Sequence, residues 1–201
     1  MARFQQLLIG VSAFLALTTS AIEILSTFDD IDTDQLVNFA SIGVYNGLDF
    51  LGISAVDVGP ETSVAGIIPQ SGSNVAYYGA LNAITTSETP SITARYEIST
   101  IGQFAFQSFY YGCLGALAAV PVACTITVQG FLDGLAVDDA VNEFEFEPSG
   151  VALSAAMQEA TLSAAFANVD TVTLSTVYDG PQPASITVLD SMSYAIVVNT
   201  A

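Results

Sequence analysis

Thr27-Phe28-Asp29-Asp30-Ile31-Asp32, near the start of the chain, is answered near its end by Ile186-Thr187-Val188-Leu189-Asp190. Both are short apolar runs that stop at carboxylates, and Asp is suited to the local backbone bonds of a turn. Ile22–Phe28 reads as a first strand, and Ser185–Leu189 with Tyr194–Val198 as the closing ones. The expectation is that the two ends lie side by side, so that early and late aspartates share one corner of a sandwich.

Between these ends the pattern is strand and turn. Val44–Phe50 carries Asn46-Gly47, a strong hairpin signal. Leu51–Val58, Asn74–Asn82 and Ser91–Ser99 read as strands, the last from its alternation of Ile92, Ala94, Tyr96 and Ile98 with polar residues. Phe104–Tyr111 is the most aromatic strand and runs on to Cys113. Cys124–Gly130 and Val169–Val177 are further strands. Gly134–Val141 reads as an acidic turn, and Asn142–Glu147 as a strand with one wet face. A short helix or turn is placed near Ser154–Glu159, although Thr161-Leu162-Ser163 beside it reads equally well as strand. About ten short strands with little helix predict an all-β, antiparallel, jelly-roll-like β-sandwich.

The 201 residues hold 2 basic and 20 acidic side chains and no His. Arg3 is followed by an apolar stretch, Leu7–Leu17, and by Thr19-Ser20-Ala21, the order of a secretory signal. Residues 1–21 are therefore read as a signal peptide and 22–201 as one β-sandwich domain, secreted and without a membrane span in its mature form. Arg95 then faces all 20 carboxylates alone. Such a surface repels nucleic acid. It suits an acidic medium, a cationic partner, bound metal ions or simply solubility. Arg95 is expected to pair with a neighbouring acid such as Glu97.

Cys113 and Cys124 are the only cysteines. In an oxidising compartment they would form one disulfide joining the aromatic strand to the strand that begins at Cys124. Without His, neither a Ser-His-Asp nor a Cys-His mechanism is available. An acid pair for glycoside hydrolysis would come from Glu143, Glu145 and Glu147, or from Glu97 with Asp49. The first three fall at i, i+2 spacing on one strand face and more simply meet water or an ion. Asp29, Asp30, Asp32 and Asp34 are numerous enough to suggest a calcium site that Asp190 could approach. The plainer alternative is that they cap turns. Tyr77-Tyr78 and Phe109-Tyr110-Tyr111 put alternate rings on opposite faces, so Tyr78, Tyr110 and Tyr111 are the candidate ligand-stacking residues.

Phe28-Asp29-Asp30, Tyr45-Asn46-Gly47-Leu48-Asp49-Phe50, Phe109 to Cys113, Cys124-Thr125-Ile126-Thr127-Val128-Gln129-Gly130 and Leu189-Asp190 to Tyr194 occur in that order. The set resembles a group of secreted filamentous-fungal proteins with an FDD…YxGLxF…C…CxIxVxG…LDxxxY pattern, and covers nearly the whole chain after residue 21. It departs at Ser191, where that pattern carries Asn. The chain is more distantly similar to jelly-roll carbohydrate-binding modules. That likeness implies a structural calcium held by Asp29 or Asp30 with Asp190, and a glycan or cell-surface partner. Those modules present Trp to sugars; this chain has none. The resulting expectation is a secreted, non-enzymatic, effector-like binding protein. A carboxylate-pair hydrolase and a structural wall or matrix protein are the alternatives.

Overall fold

The computed structural model describes residues 21–33, 41–58, 66–79, 88–115, 120–148, 153–180 and 184–198. Residues 1–20 of the signal segment, and Asp34, lie outside the described residues. The chain is all-β and antiparallel in its main sheet, with fourteen strands among the described residues where the sequence suggested about ten. They are β1 (Ala21–Ser26), β2 (Ser41–Tyr45), β3 (Leu48–Asp57), β4 (Gly66–Ile68), β5 (Asn74–Gly79), β6 (Ser91–Thr93) and β7 (Ile101–Gly115). They continue with β8 (Val120–Pro121), β9 (Cys124–Leu132), β10 (Leu135–Phe146), β11 (Ser154–Ala156), β12 (Gln158–Thr161), β13 (Thr171–Tyr178) and β14 (Ser185–Val198).

The sheet runs β10-β9-β13-β6-β3-β5-β14-β7-β12, with β1 on β14, β2 on β3 and β8 on β7. It curls so that its two ends face each other. Phe144 of β10 packs edge-on against Phe109 of β7 at 5.8 Å, and Phe146 against Tyr111 at 6.1 Å. The core between the layers is aromatic and aliphatic: Phe28, Phe50, Phe104, Phe109, Ile126, Phe166 and Leu189 are wholly buried. The disulfide Cys113–Cys124 joins β7 to β9, strands separated along the sheet by β13, β6, β3, β5 and β14. It therefore ties one layer to the other.

Two composite strands position everything that follows. β1 and β5 lie end to end along β14, with Ser26 opposite Met192 and Ala76 opposite Leu189. β5 and β6 lie end to end along β3, with Ser54 opposite Tyr77 and Leu51 opposite Ser91. β3 bends between these registers at Gly52, whose φ of +64° is easy for glycine and costly for other residues. Beyond the bend, β5 pairs with β14 and β6 with β13, so the sheet divides into its two layers there.

Four expectations are corrected. The strand predicted over Ser91–Ser99 stops at Thr93, because the Thr93 hydroxyl accepts the Arg95 N–H at 3.0 Å and Ser99 N–H turns back to the Tyr96 carbonyl. Side-chain bonds of that kind compete with a ladder. Leu135–Val141, expected as part of an acidic turn over Gly134–Val141, is strand. The turn is Asp133-Gly134, and β10 leaves its register between Ala136 and Val141, a bulge on an exposed edge. Ser154–Glu159 is extended, in β11 and β12; the described helix is a short 3-10 turn, Ala164–Asn168. The two closing strands are one, β14, with an irregular register at Asp190–Ser193. No helix among the described residues is long and apolar enough to cross a membrane.

Candidate functional site

The break between β1 and β5 is where the two aspartate-bearing stretches meet. Phe28 turns the chain with φ of +66°, and Ile31 N–H closes the turn on the Phe28 carbonyl. Asp29 Oδ1 then accepts the N–H groups of Ser73 and Asn74 at 3.0 and 3.1 Å. From the other end of the chain, Asp190 accepts the Ser71 N–H at 2.7 Å, the Ser71 hydroxyl at 2.8 Å and its neighbour Ser191 N–H at 2.5 Å. Asn74 donates to the carbonyls of Phe28 and Ile31. The loop Ser71-Gly72-Ser73 is thus held by a carboxylate from each end of the sequence. Gly72 is required: its φ is +39°, and a Cβ there would lie 2.0 Å from Asp29 Oδ1.

Asp30 points elsewhere and accepts the Tyr45 hydroxyl at 2.5 Å. Among the described residues no three His, Cys, Asp or Glu side chains come together as a metal site. The contacting oxygens of Asp29 and Asp190 meet N–H and O–H groups of the Ser71–Ser73 loop and its neighbours, charge-assisted bonds that hold the loop. Among the described residues Asp32 joins no such group.

Burial raises the carboxyl pKa of Asp190, opposed by the bonds from Ser71, Ser191 and Gln70. Burial first, and then the charge of Glu88, raise that of Asp49. An acid whose folded pKa lies above its unfolded value contributes stability that is fully present below the unfolded value. That stability is lost as pH rises through the folded one. The window here opens upward from 3.8. Thermal unfolding is therefore expected at a higher temperature near pH ~5 than at pH ~7.5, helped by relief of the overall negative charge. A higher melting temperature on the alkaline side would contradict it.

The second break, between β5 and β6, opens a groove of about 420 Å³, within the range of small-molecule sites. Gly52, Tyr78 and Gly79 line one side, Glu88, Thr89 and Pro90 the rim, and Leu174, Ser175, Thr176 and Tyr178 of β13 the other side. Hydroxyls bridge the two layers beneath it. Tyr78 bonds Thr176 at 2.8 Å, Thr176 bonds Thr187 at 2.8 Å, and Tyr178 bonds Thr187 at 2.9 Å. Burial raises the pKa of both tyrosines, so they stay protonated hydrogen-bonding groups. Glu88 is anchored by the Gly52 N–H, donated to its Oε2 at 3.0 Å.

The sequence-selected tyrosines separate. Tyr78 is buried at the groove floor, its hydroxyl held by Thr176 and Thr187 on strands at the split. Tyr110 is half-buried against the core. Tyr111 sits within the core, its hydroxyl donated to the Glu145 carbonyl at 2.9 Å. Glu143, Glu145 and Glu147 form the exposed row expected of them. Arg95 does not pair with Glu97. It pairs with Asp133 and, through Nε at 2.9 Å, with buried Asp170, pinning the β9–β10 turn to the start of β13. The acid whose charge reaches Asp49 is likewise Glu88, not Glu97. Sequence reading missed Glu88 and Tyr178 because both fall between the segments that read as strands. Pro90 beside the first and the strand preceding the second were the only signals.

No protein-family model matches the chain, and no curated protein does. Among solved structures it is similar to a DUF4465 family protein from Bacteroides caccae ATCC 43185. That match has 12% identity and a TM-score of 0.56, and covers 89% of this chain and 100% of that one. The likeness is one of fold. A cyclase from Fischerella sp. TAU aligns over 90% of this chain and 100% of its own at 10% identity, with a TM-score of 0.42.

Proposed function

We propose that this protein is a secreted, non-catalytic binding protein whose groove at the β5–β6 break takes a hydroxyl-bearing ligand, one or two sugar units of a glycan. The observation that carries the reading is the lining. Apolar surfaces from Pro90, Leu174 and the Tyr178 ring stand beside hydroxyls of Tyr78, Thr176 and Tyr178 and the carboxylate of Glu88. A sugar presents the same mixture, C–H faces and a rim of hydroxyls. Each tyrosine or threonine hydroxyl already paired to a neighbour keeps further capacity as an acceptor. Tyrosine takes the stacking role that tryptophan has elsewhere.

Calorimetry against short neutral and amino-sugar oligosaccharides tests this. Binding is expected, and Tyr178→Ala should weaken it by about tenfold while leaving the fold intact by circular dichroism. No binding to any oligosaccharide would remove the reading. A second reading has one observation in its favour: beside burial, the charge of nearby Glu88 raises the pKa of Asp49, as one acid of a glycosidase pair raises the other. Turnover of an oligosaccharide that is lost in Glu88→Gln would favour it instead.

A further inference from the structure

We infer that the groove reads its ligand as a hydrogen-bond donor: it takes glycan units through unsubstituted hydroxyls and discriminates against the same units once those hydroxyls are O-methylated. This rests on the glycan reading above and adds the polarity of recognition.

Four hydroxyls form the floor, and each brings one hydrogen and an oxygen that accepts. Tyr78 pairs with Thr176 at 2.8 Å, Thr176 with Thr187 at 2.8 Å, and Tyr178 with Thr187 at 2.9 Å. Tyr78 also bonds Thr187, and Tyr178 also bonds Thr176. Four hydrogens are therefore shared among five pairings. The Cys113 sulfur, which in its disulfide can only accept, adds a further demand at 3.8 Å from the Thr187 hydroxyl. Hydrogens run short inside the floor, while lone pairs are left over. Tyr78 and Thr187 are buried away from bulk water. On the groove wall the Gly52 N–H is likewise committed, to Glu88 Oε2 at 3.0 Å. Thr89 and Ser175 at the mouth are exposed, and their hydroxyls turn to donate or accept alike, so the floor sets the polarity. A ligand hydroxyl that donates to Thr176 or Tyr178 completes the floor without breaking a bond. A ligand that offers only ether oxygens there must draw a hydrogen out of the floor and forfeits the bond it breaks. Pro90, Leu174 and the Tyr178 ring meet the C–H faces of both ligands and do not tell them apart.

The test is calorimetry with cellotriose and a glucosamine trimer, each beside its fully O-methylated counterpart. All four are run on the wild type, on Thr176→Val and on Tyr178→Phe. A parent trimer should bind the wild type about tenfold tighter than its methylated form. Valine is β-branched like threonine but removes the central hydroxyl. Three hydrogens then serve two pairings, Tyr78–Thr187 and Tyr178–Thr187, and one is free to meet an ether oxygen. The margin should fall below about threefold in that variant. Tyr178→Phe keeps the ring and removes one acceptor, so it should weaken the parent alone and narrow the margin from the other side. Equal affinity of parent and methylated forms for the wild type overturns the polarity and leaves the glycan reading standing. A margin unchanged in both variants assigns the discrimination to the bulk of the methyl groups and also overturns the inference. Failure of all four probes to bind removes the inference together with the glycan reading. If Thr176→Val fails to fold, the wild type and Tyr178→Phe decide.

Discussion

Asp190→Ala is expected to lower stability by about 3 kcal/mol at neutral pH, roughly 6–12 °C in melting temperature for a domain of this size. The side chain is wholly buried and holds the Ser71 N–H and hydroxyl and the Ser191 N–H. Alanine leaves those donors without an acceptor at the point where β1 gives way to β5. The gain from no longer burying a charge offsets part of the loss, because burial already raises the Asp190 pKa. Asp190→Asn, which removes the charge and keeps one acceptor, should fall between wild type and alanine. Urea unfolding of the three proteins checks the order. A change under about 0.5 kcal/mol for alanine would mean that the Ser71–Ser73 loop does not depend on the carboxylate.

The Cys113→Ser, Cys124→Ser double variant is expected to lose about 3 kcal/mol by the chain-entropy model. The bridge spans only 11 positions in sequence. It also joins layers that are otherwise connected along the sheet through five intervening strands. Both cysteines are buried, so the two hydroxyls introduced add a desolvation cost. Reduction of the wild type should give a similar drop without that cost, and the difference between the two experiments separates the terms. An unchanged denaturation midpoint on complete reduction would contradict the bridge's role in closing the sandwich.

Elements were legible in the sequence where a local rule decided them. Asn46-Gly47 forms the tight turn its dipeptide signals, both residues at positive φ. The aromatic run of β7 is a strand because Phe104, Phe106 and Phe109 all find the core. The disulfide followed from having two cysteines. The pairing of β1 with β14 was also legible, from the apolar runs that end in carboxylates at the two ends.

What was not legible depended on partners distant in sequence or on an exposed edge. β10 is rich in Asp and Glu because it borders solvent, with β9 as its one ladder partner among the described residues, and that composition imitates a turn. Arg95 finds Asp170 rather than Glu97, since the end of β6 and the start of β13 are neighbours in the sheet. The groove is the extreme case. Tyr78 and Thr176 are 98 positions apart, and Glu88 acts through Gly52 at a separation of 36. No spacing rule brings them together. Asp29 and Asp190 do lie where the two ends meet, but the Ser71–Ser73 loop whose N–H groups they accept is 40 or more positions from either and was not legible.

The decisive measurement is an amide chemical-shift titration of the labelled protein with a short glucosamine oligomer. Shifts confined to Gly52, Tyr78, Gly79, Glu88, Thr89 and Leu174–Tyr178 are the predicted result. Shifts centred instead on the exposed Glu143–Glu147 row, or on Asp29 and the Ser71–Ser73 loop, would contradict a binding groove at the β5–β6 break.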